Sequence, residues 1–261
     1  MKKIAVITGA SSGMGREMVY ELADRFRSIE EIWVIARRED RLLELRDKVT
    51  ADIRTFALDI TDKRDLEQLK KVLEKERPNV KFLVNAAGYG KIGRVGKVSL
   101  EEEAGMTALN CEALAAVTHV VLPFISDHSR IIQFASAAAF LPQPKFAVYA
   151  ATKAFVLSYS RALNEELRQR DICVTAVCPG PVKTEFFDIA ETTGKIPLYK
   201  KLAMAKPERV VKKAVSDSCM GKSISVYGFL MKLFFILSKV MPHKLLLSCM
   251  NMGKLQGEGR R

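Results

Sequence analysis

Short apolar runs alternate with amphipathic stretches along most of the chain. Residues 4–7, 31–36, 54–58, 80–85, 130–135, 172–177 and 223–227 are mostly apolar runs of strand length, and they predict seven strands. Between them apolar residues recur at every third or fourth position. This spacing predicts helices over 16–23, from residue 39 to about residue 49, and over 62–77, 100–122, 147–170 and 207–218. Strands that alternate with helices form a parallel sheet, and the right-handed crossover rule covers both of its faces. The expected fold is α/β: a single doubly wound domain of about seven parallel strands, with ligands beyond the carboxyl ends of the strands. Two stretches break the alternation. Residues 88–98 are rich in glycine, and 180–206 is too long for a plain connection and reads as a lid.

The first strand runs into Thr8-Gly9-Ala10-Ser11-Ser12-Gly13-Met14-Gly15, and a helix follows. Glycines at such a turn let backbone N–H groups approach an anion, and the N-terminal end of the helix adds a partial positive charge. A Gly-rich turn alone is weak evidence, but strand, turn and helix in this order point to a dinucleotide pyrophosphate. The fold expectation therefore narrows to a Rossmann-type domain.

Composition supports one domain. The chain has 261 residues, 48% hydrophobic and 28% charged, enough for a sizeable core; residues 1–228 form the expected domain and 229–261 an extension. The apolar run after Met1-Lys2-Lys3 is too short for a secretory signal. Cys111, Cys173, Cys178, Cys219 and Cys249 are scattered with no CxxC pair, which fits core residues in a reducing compartment. A cytoplasmic location is expected. The formal net charge of +12 attracts anions without choosing one. Its basic residues are dispersed among acids, with no zinc finger, basic zipper or aromatic RNA-binding box, so no nucleic-acid partner is expected.

Candidate chemistry sits in Tyr149-Ala150-Ala151-Thr152-Lys153, at the start of a predicted helix, where a spacing of four puts phenol and ammonium on one face. An ammonium beside a phenol favours the phenolate, which predicts a Tyr149 pKa moved down toward working pH. An isolated Tyr/Lys pair is usually ordinary helix surface. Ser136, at the end of the fifth predicted strand, changes the balance, because its hydroxyl can orient a substrate oxygen where an open sheet places its site.

These residues together resemble the short-chain dehydrogenase/reductase family over roughly positions 3–227. The glycine motif, the turn Asn85-Ala86-Ala87-Gly88, Asn110, Ser136, Tyr149, Lys153, and Pro179-Gly180 followed by Val182 and Thr184 match the family pattern in order and spacing. Alanine at position 86, where relatives carry asparagine, is a conservative departure. The resemblance implies hydride transfer between a nicotinamide and a carbonyl or secondary alcohol. It implies Tyr149 as proton donor or acceptor, Lys153 on the nicotinamide ribose, Ser136 on the substrate oxygen and Asn110 in a water-linked proton path. Gly9, Ser11, Ser12, Gly13, Met14 and Gly15 would hold the pyrophosphate, Asn85, Ala86, Ala87 and Gly88 the adjacent crevice, and Pro179, Gly180, Val182 and Thr184 the carboxamide. Asp59-Ile60 resembles the family's adenine-binding pair.

NAD-preferring relatives place an acid at the end of the second strand, but here the sequence runs Ile35-Ala36-Arg37-Arg38. A guanidinium can grip a 2′-phosphate that an acid would repel. NADP is favoured over NAD, with Arg37 first and Arg38 second; the plainer reading has both arginines opening a helix in solvent. Ser12 stands where the family's other phosphate-binding basic residue would be. A nucleotide-sensing regulator without turnover is the alternative from another class.

The lid carries Phe186, Phe187, Ile189, Ile196, Leu198, Tyr199, Leu202 and Met204, which suits a hydrophobic ketone or alcohol, or simply packs the lid onto the body. In 229–250, Pro242 and charged residues interrupt the apolar sequence, so a spanning helix is disfavoured. Packing near the cleft, a subunit contact and peripheral membrane contact all stay open for it. The resemblance also implies a homodimer or homotetramer, paired through the helices holding Asn110 and Tyr149.

Overall fold

The computed structural model describes residues 1–191 and 204–246. Its strands are β1 (Lys3–Thr8), β2 (Glu31–Ala36), β3 (Asp52–Ala57), β4 (Asn79–Asn85), β5 (Ile125–Phe134), β6 (Cys173–Val177) and β7 (Ile224–Ser225). Its helices are α1 (Gly13–Arg25), α2 (Glu39–Leu43), α3 (Lys63–Glu76), α4 (Leu100–Thr107), α5 (Leu114–Val121), α6 (Ala147–Glu166), α7 (Phe186–Ala190), α8 (Pro207–Cys219) and α9 (Phe229–Val240). All seven strands are parallel, in the order β3-β2-β1-β4-β5-β6-β7. The expected single doubly wound Rossmann-like domain is what forms.

Alternation along each strand builds two core layers. Ala5 and Ile7 of β1, with Ile32 and Val34 of β2, face Met18, Val19 and Leu22 of α1 and Val211, Ala214 and Val215 of α8. Ile4, Val6, Trp33 and Ile35 point to the other face, against Leu69 and Leu73 of α3 and Val117 and Val121 of α5. Each Val, Leu, Ile or Met side chain so buried contributes about 1.5–3 kcal/mol relative to exposure. The chain leaves β1 toward β2 on one side and returns to β4 on the other, so a crevice opens where the carboxyl ends of β1 and β4 diverge.

Several boundaries differ from expectation. Helix α2 stops at Leu43, because Leu45, Arg46 and Lys48 donate their N–H groups three residues back, to Leu42, Leu43 and Leu45; this tighter winding keeps both Leu42 and Leu45 buried. Strand β5 begins at Ile125, five residues earlier than its apolar run. Ile125 pairs with Val80 and Arg130 with Phe82, so 126–129 bulge out of the ladder. The helix predicted over 100–122 is divided by a π-helical turn, Ala108–Ala113. β7 has only two residues. In the expected lid, the described part contains α7 and a bridge between Val182 and Ala205. Ile196, Leu198, Tyr199, Leu202, Cys249 and the rest of the extension beyond residue 246 lie outside the described residues.

Candidate active site

The turn after β1 is built by three glycines with different duties. Gly9 has φ +68°, and a Cβ there would lie 2.6 Å from the Ala87 nitrogen, so the β1 and β4 turns touch only because Gly9 has no side chain. A Cβ on Gly15 would lie 2.2 Å from the Gly9 carbonyl oxygen, which fixes how closely α1 approaches the turn. Gly13, at φ +52°, faces Thr184 across the crevice, where a Cβ would lie 3.4 Å from the threonine side chain. The N-cap Ser12 makes no side-chain bond to the helix, and the first turn of α1 contains no acid. First-turn N–H groups and a glycine cradle together fit a dinucleotide pyrophosphate.

At the outer end of β2, Arg38 donates to Ser11 Oγ through Nε at 3.3 Å and Nη2 at 3.1 Å. Its Nη1 reaches Glu185 Oε2 at 3.0 Å, and Arg41 Nη1 reaches Glu185 Oε1 at 3.2 Å. Burial works to raise the Glu185 pKa, but the two guanidiniums outweigh it and hold the carboxyl below its ordinary value. Arg37 is 76% exposed and lies 3.6 Å from Asp59. Of the two arginines, Arg38 is the one that reaches the glycine turn. Asp59 accepts from Thr61 N and Oγ1 at 3.0 and 2.6 Å. Ile60 is a core side chain, so only its backbone can meet a ligand.

Asn85 is turned away from the crevice. Its amide donates to Thr118 Oγ1 at 2.9 Å and Gln133 Oε1 at 3.0 Å, tying β4 to α5 and β5. Its side chain therefore supports the turn Ala86-Ala87-Gly88 from below.

The other half of the site gathers from three segments. Ser136 caps the 3₁₀ turn Ala137–Phe140, accepting from Ala138 N at 3.1 Å, and its hydroxyl is close enough to the Tyr149 phenol to work against the rise of the phenol's pKa. The Lys153 ammonium donates to the Phe134 carbonyl at 2.8 Å and lies 5.7 Å from the Tyr149 ring centre. Asn110 occupies the π turn. Its Oδ1 accepts from Tyr89 N at 3.1 Å, and its Nδ2 donates to Tyr89 O at 2.9 Å and Thr152 Oγ1 at 3.0 Å. A π turn at such a position is a recurrent mark of functional sites. Gly88 closes the group: a Cβ there would lie 2.8 Å from Asn110 Oδ1 and 3.3 Å from Lys153 Nζ.

Tyr149 and Lys153 are 7% and 5% exposed. Burial pushes the phenol up to about 12, with the Ser136 hydroxyl acting the other way, and pushes the ammonium down to about 8. The expected lowering of the Tyr149 pKa by Lys153 is therefore overturned here: the ammonium bonds the Phe134 carbonyl, not the phenol, and burial dominates. Cys178, before Pro179-Gly180, is likewise pushed up to about 12 by burial, which keeps it a neutral thiol.

Several neighbours escaped the sequence reading. Phe146 stacks on Tyr149 at 4.3 Å, whereas Phe186, a residue of the expected lid, tilts against the same ring at 5.3 Å. Gly90 has no room for a Cβ, which would lie 2.7 Å from the Tyr149 ring; the glycine-rich stretch after β4 was its only signal. Arg41 and Glu185 gave none, since 144 residues separate them. Val182 is buried and Thr184 lies by Gly13. Pro179 accepts from Ala137 N at 2.8 Å, and a Cβ on Gly180 would meet Met231 Sδ at 2.7 Å.

The short chain dehydrogenase family model matches residues 3–193. The chain is 34% identical over 192 residues to sulfoacetaldehyde reductase 2 of Chromohalobacter salexigens, covering 71% of this chain and 75% of that protein. A short-chain dehydrogenase from Sphingobium yanoikuyae, solved with NADPH, superposes with a TM-score of 0.76 at 24% identity, covering 99% of this chain and 96% of that one. A Burkholderia phymatum short-chain dehydrogenase/reductase, solved with NAD, gives 0.77 at 22% identity over 90% and 92% of the two chains. The chain belongs to the short-chain dehydrogenase family and is an oxidoreductase that works with a nicotinamide cofactor.

Proposed function

We propose that this enzyme is an NADP-dependent reductase of hydrophobic ketones, also able to oxidise the matching secondary alcohols, with Ser136, Tyr149 and Lys153 as its catalytic residues. The observation that carries this reading is the buried Tyr149 phenol, gathered with the Ser136 hydroxyl and with the Lys153 ammonium 5.7 Å from its ring centre. When bound, the cofactor supplies or accepts the hydride at nicotinamide C4.

Ser136 donates to the substrate oxygen and orients it. Tyr149 gives its phenolic proton to the oxygen as it becomes an alkoxide, or takes it back in the alcohol direction. Protonated at neutral pH, the phenol is in the state that the reduction direction needs. Lys153, held by the Phe134 carbonyl, would bind the ribose hydroxyls. Asn110 is a positioning residue: with its amide engaged by Tyr89 and Thr152, it fixes the β4 turn over Lys153.

Arg38, steadied by Ser11 and flanked by Arg41, is the support for NADP. A phosphate there would find two guanidiniums within reach. Phe146 and Phe186 beside Tyr149, with Phe187 edge-on to Phe186 at 5.4 Å, give the apolar wall that supports a hydrophobic substrate. Phe155 and Tyr159, stacked at 5.8 Å on α6, support pairing of two copies through the helices that carry Asn110 and Tyr149.

The test is a panel of apolar and small polar ketones assayed with NADPH and NADH by loss of reduced-nicotinamide absorbance. The reading expects turnover of bulky apolar ketones and a preference for NADPH of tenfold or more, about 1.4 kcal/mol. Turnover confined to NADH removes the 2′-phosphate assignment, and turnover confined to small polar carbonyls removes the substrate class.

A further inference from the structure

We propose that α9 seats the protein on an anionic lipid surface, next to the mouth of the substrate cleft. One side of this helix is committed to the body: Met231, Phe234 and Phe235 pack on the core, Phe140 meeting Phe234 and Phe235 at 6.1 and 4.8 Å. At 100° per residue, those positions and the buried Ser238 fall on one arc. The arc opposite them holds Phe229, Leu230, Leu233, Ile236, Leu237 and Val240, all exposed, with Phe229 at 83%, Ile236 at 57% and Val240 at 77%. A water-facing helix places its polar residues there. This one has six large apolar side chains instead, an unusual concentration for a free surface.

Charge names the occupant. Lys232 and Lys239, seven residues apart, fall together on one border of the exposed apolar arc, at the place a membrane-surface helix carries its bases. Between Asp217 and Glu258 the sequence contains five lysines and no acid, within a chain of net charge +12. A second copy placed face to face would bring two sets of lysines together with no carboxylate from this segment to neutralise them, whereas anionic headgroups supply the missing charge.

The position of the helix gives the docking a use. Phe140 closes the turn that begins at Ser136, and Met231 lies against Gly180. The lipid-facing helix thus abuts both segments that frame the reacting centre, and an apolar ketone dissolved in the bilayer would reach the cleft without crossing water. That last consequence rests on the substrate reading above; the docking itself does not.

The test is co-sedimentation of the full chain with vesicles of phosphatidylcholine alone and of phosphatidylcholine mixed with phosphatidylglycerol. Binding is expected to the mixed vesicles and to weaken as salt is raised. Lys232→Gln combined with Lys239→Gln should weaken it about 30-fold, and Leu233→Ser combined with Ile236→Ser should abolish it. Because these side chains face outward, circular dichroism melting and turnover of a water-soluble ketone should match wild type, which separates loss of docking from loss of fold or activity. Absence of binding to the mixed vesicles, equal binding to both, or a self-association that disappears in the Leu233/Ile236 variant would each overturn the proposal.

Discussion

Arg38 and Glu185 meet across the mouth of the cofactor crevice, guanidinium to carboxylate at 3.0 Å, one from the end of β2 and the other from the segment leading into α7. With Arg41 on its second oxygen at 3.2 Å, Glu185 presents an anion where the proposed 2′-phosphate would bind. The contact therefore competes with that phosphate.

Replacing Glu185 by Gln should release both arginines and lower the KM for NADPH by about two- to fivefold, the scale of a half-exposed ion pair. Arg38→Ala should raise it by about tenfold or more while leaving NADH kinetics nearly unchanged. Initial-rate measurements with both cofactors check the pair of variants. Equal effects on NADPH and NADH in Arg38→Ala would remove Arg38 from phosphate recognition.

Lys153 makes the site sensitive to mild alkali. Its pKa near 8 in the fold lies below its ordinary 10.5, so the unfolded chain holds more protons across that window. On this count stability rises as pH climbs from about 8 toward 10.5, because the cost of burying a charge is relieved. Activity should move the opposite way: kcat/KM for the cofactor is expected to fall above pH 8 as the ammonium proposed to bind the ribose is lost. A flat profile between pH 7 and pH 10 would contradict that role for Lys153.

Asp217 anchors the far edge of the sheet. Its buried carboxylate accepts from Lys213 at 2.6 Å, Lys222 at 2.9 Å and Ser225 Oγ at 2.7 Å, joining α8 to β7. Burial acts to raise its pKa, but these partners prevail and the pKa is lowered. Its contribution is fully present above the unfolded value and is lost as pH falls through the lower folded one. Asp217→Asn should cost about 2 kcal/mol at neutral pH, between a surface pair and a fully buried one, and the gap from wild type should narrow in acid. Urea unfolding at pH 7 and pH 3 measures both.

What the sequence made legible was whatever depends on neighbours along the chain. Gly9 and Gly13 need positive φ, and Gly15 needs a close approach, all within one turn, so the first strand, turn and helix could be read directly. The Tyr149–Lys153 spacing is likewise one helical turn. The start of β5 was hidden because Ser126, Asp127, His128 and Ser129 fill a bulge with polar residues. The π turn at Asn110 leaves the apolar periodicity intact and so gave no sign. Glu185 and Arg41 meet only because the sheet order brings β2 and the segment after β6 to one rim. The Tyr149 pKa was misjudged because burial, a property of the whole fold, outweighs a charge one turn away.

Tyr149→Phe tests the central assignment most directly, since the change removes one hydroxyl from a ring whose packing on Phe146 and Phe186 stays in place. Measured with NADPH and a ketone that wild type reduces, kcat should fall about a thousandfold, within the range for loss of a general acid, while the Kd for NADPH stays within about twofold. Unchanged turnover in this variant would show that the proton comes from elsewhere and would contradict the mechanism.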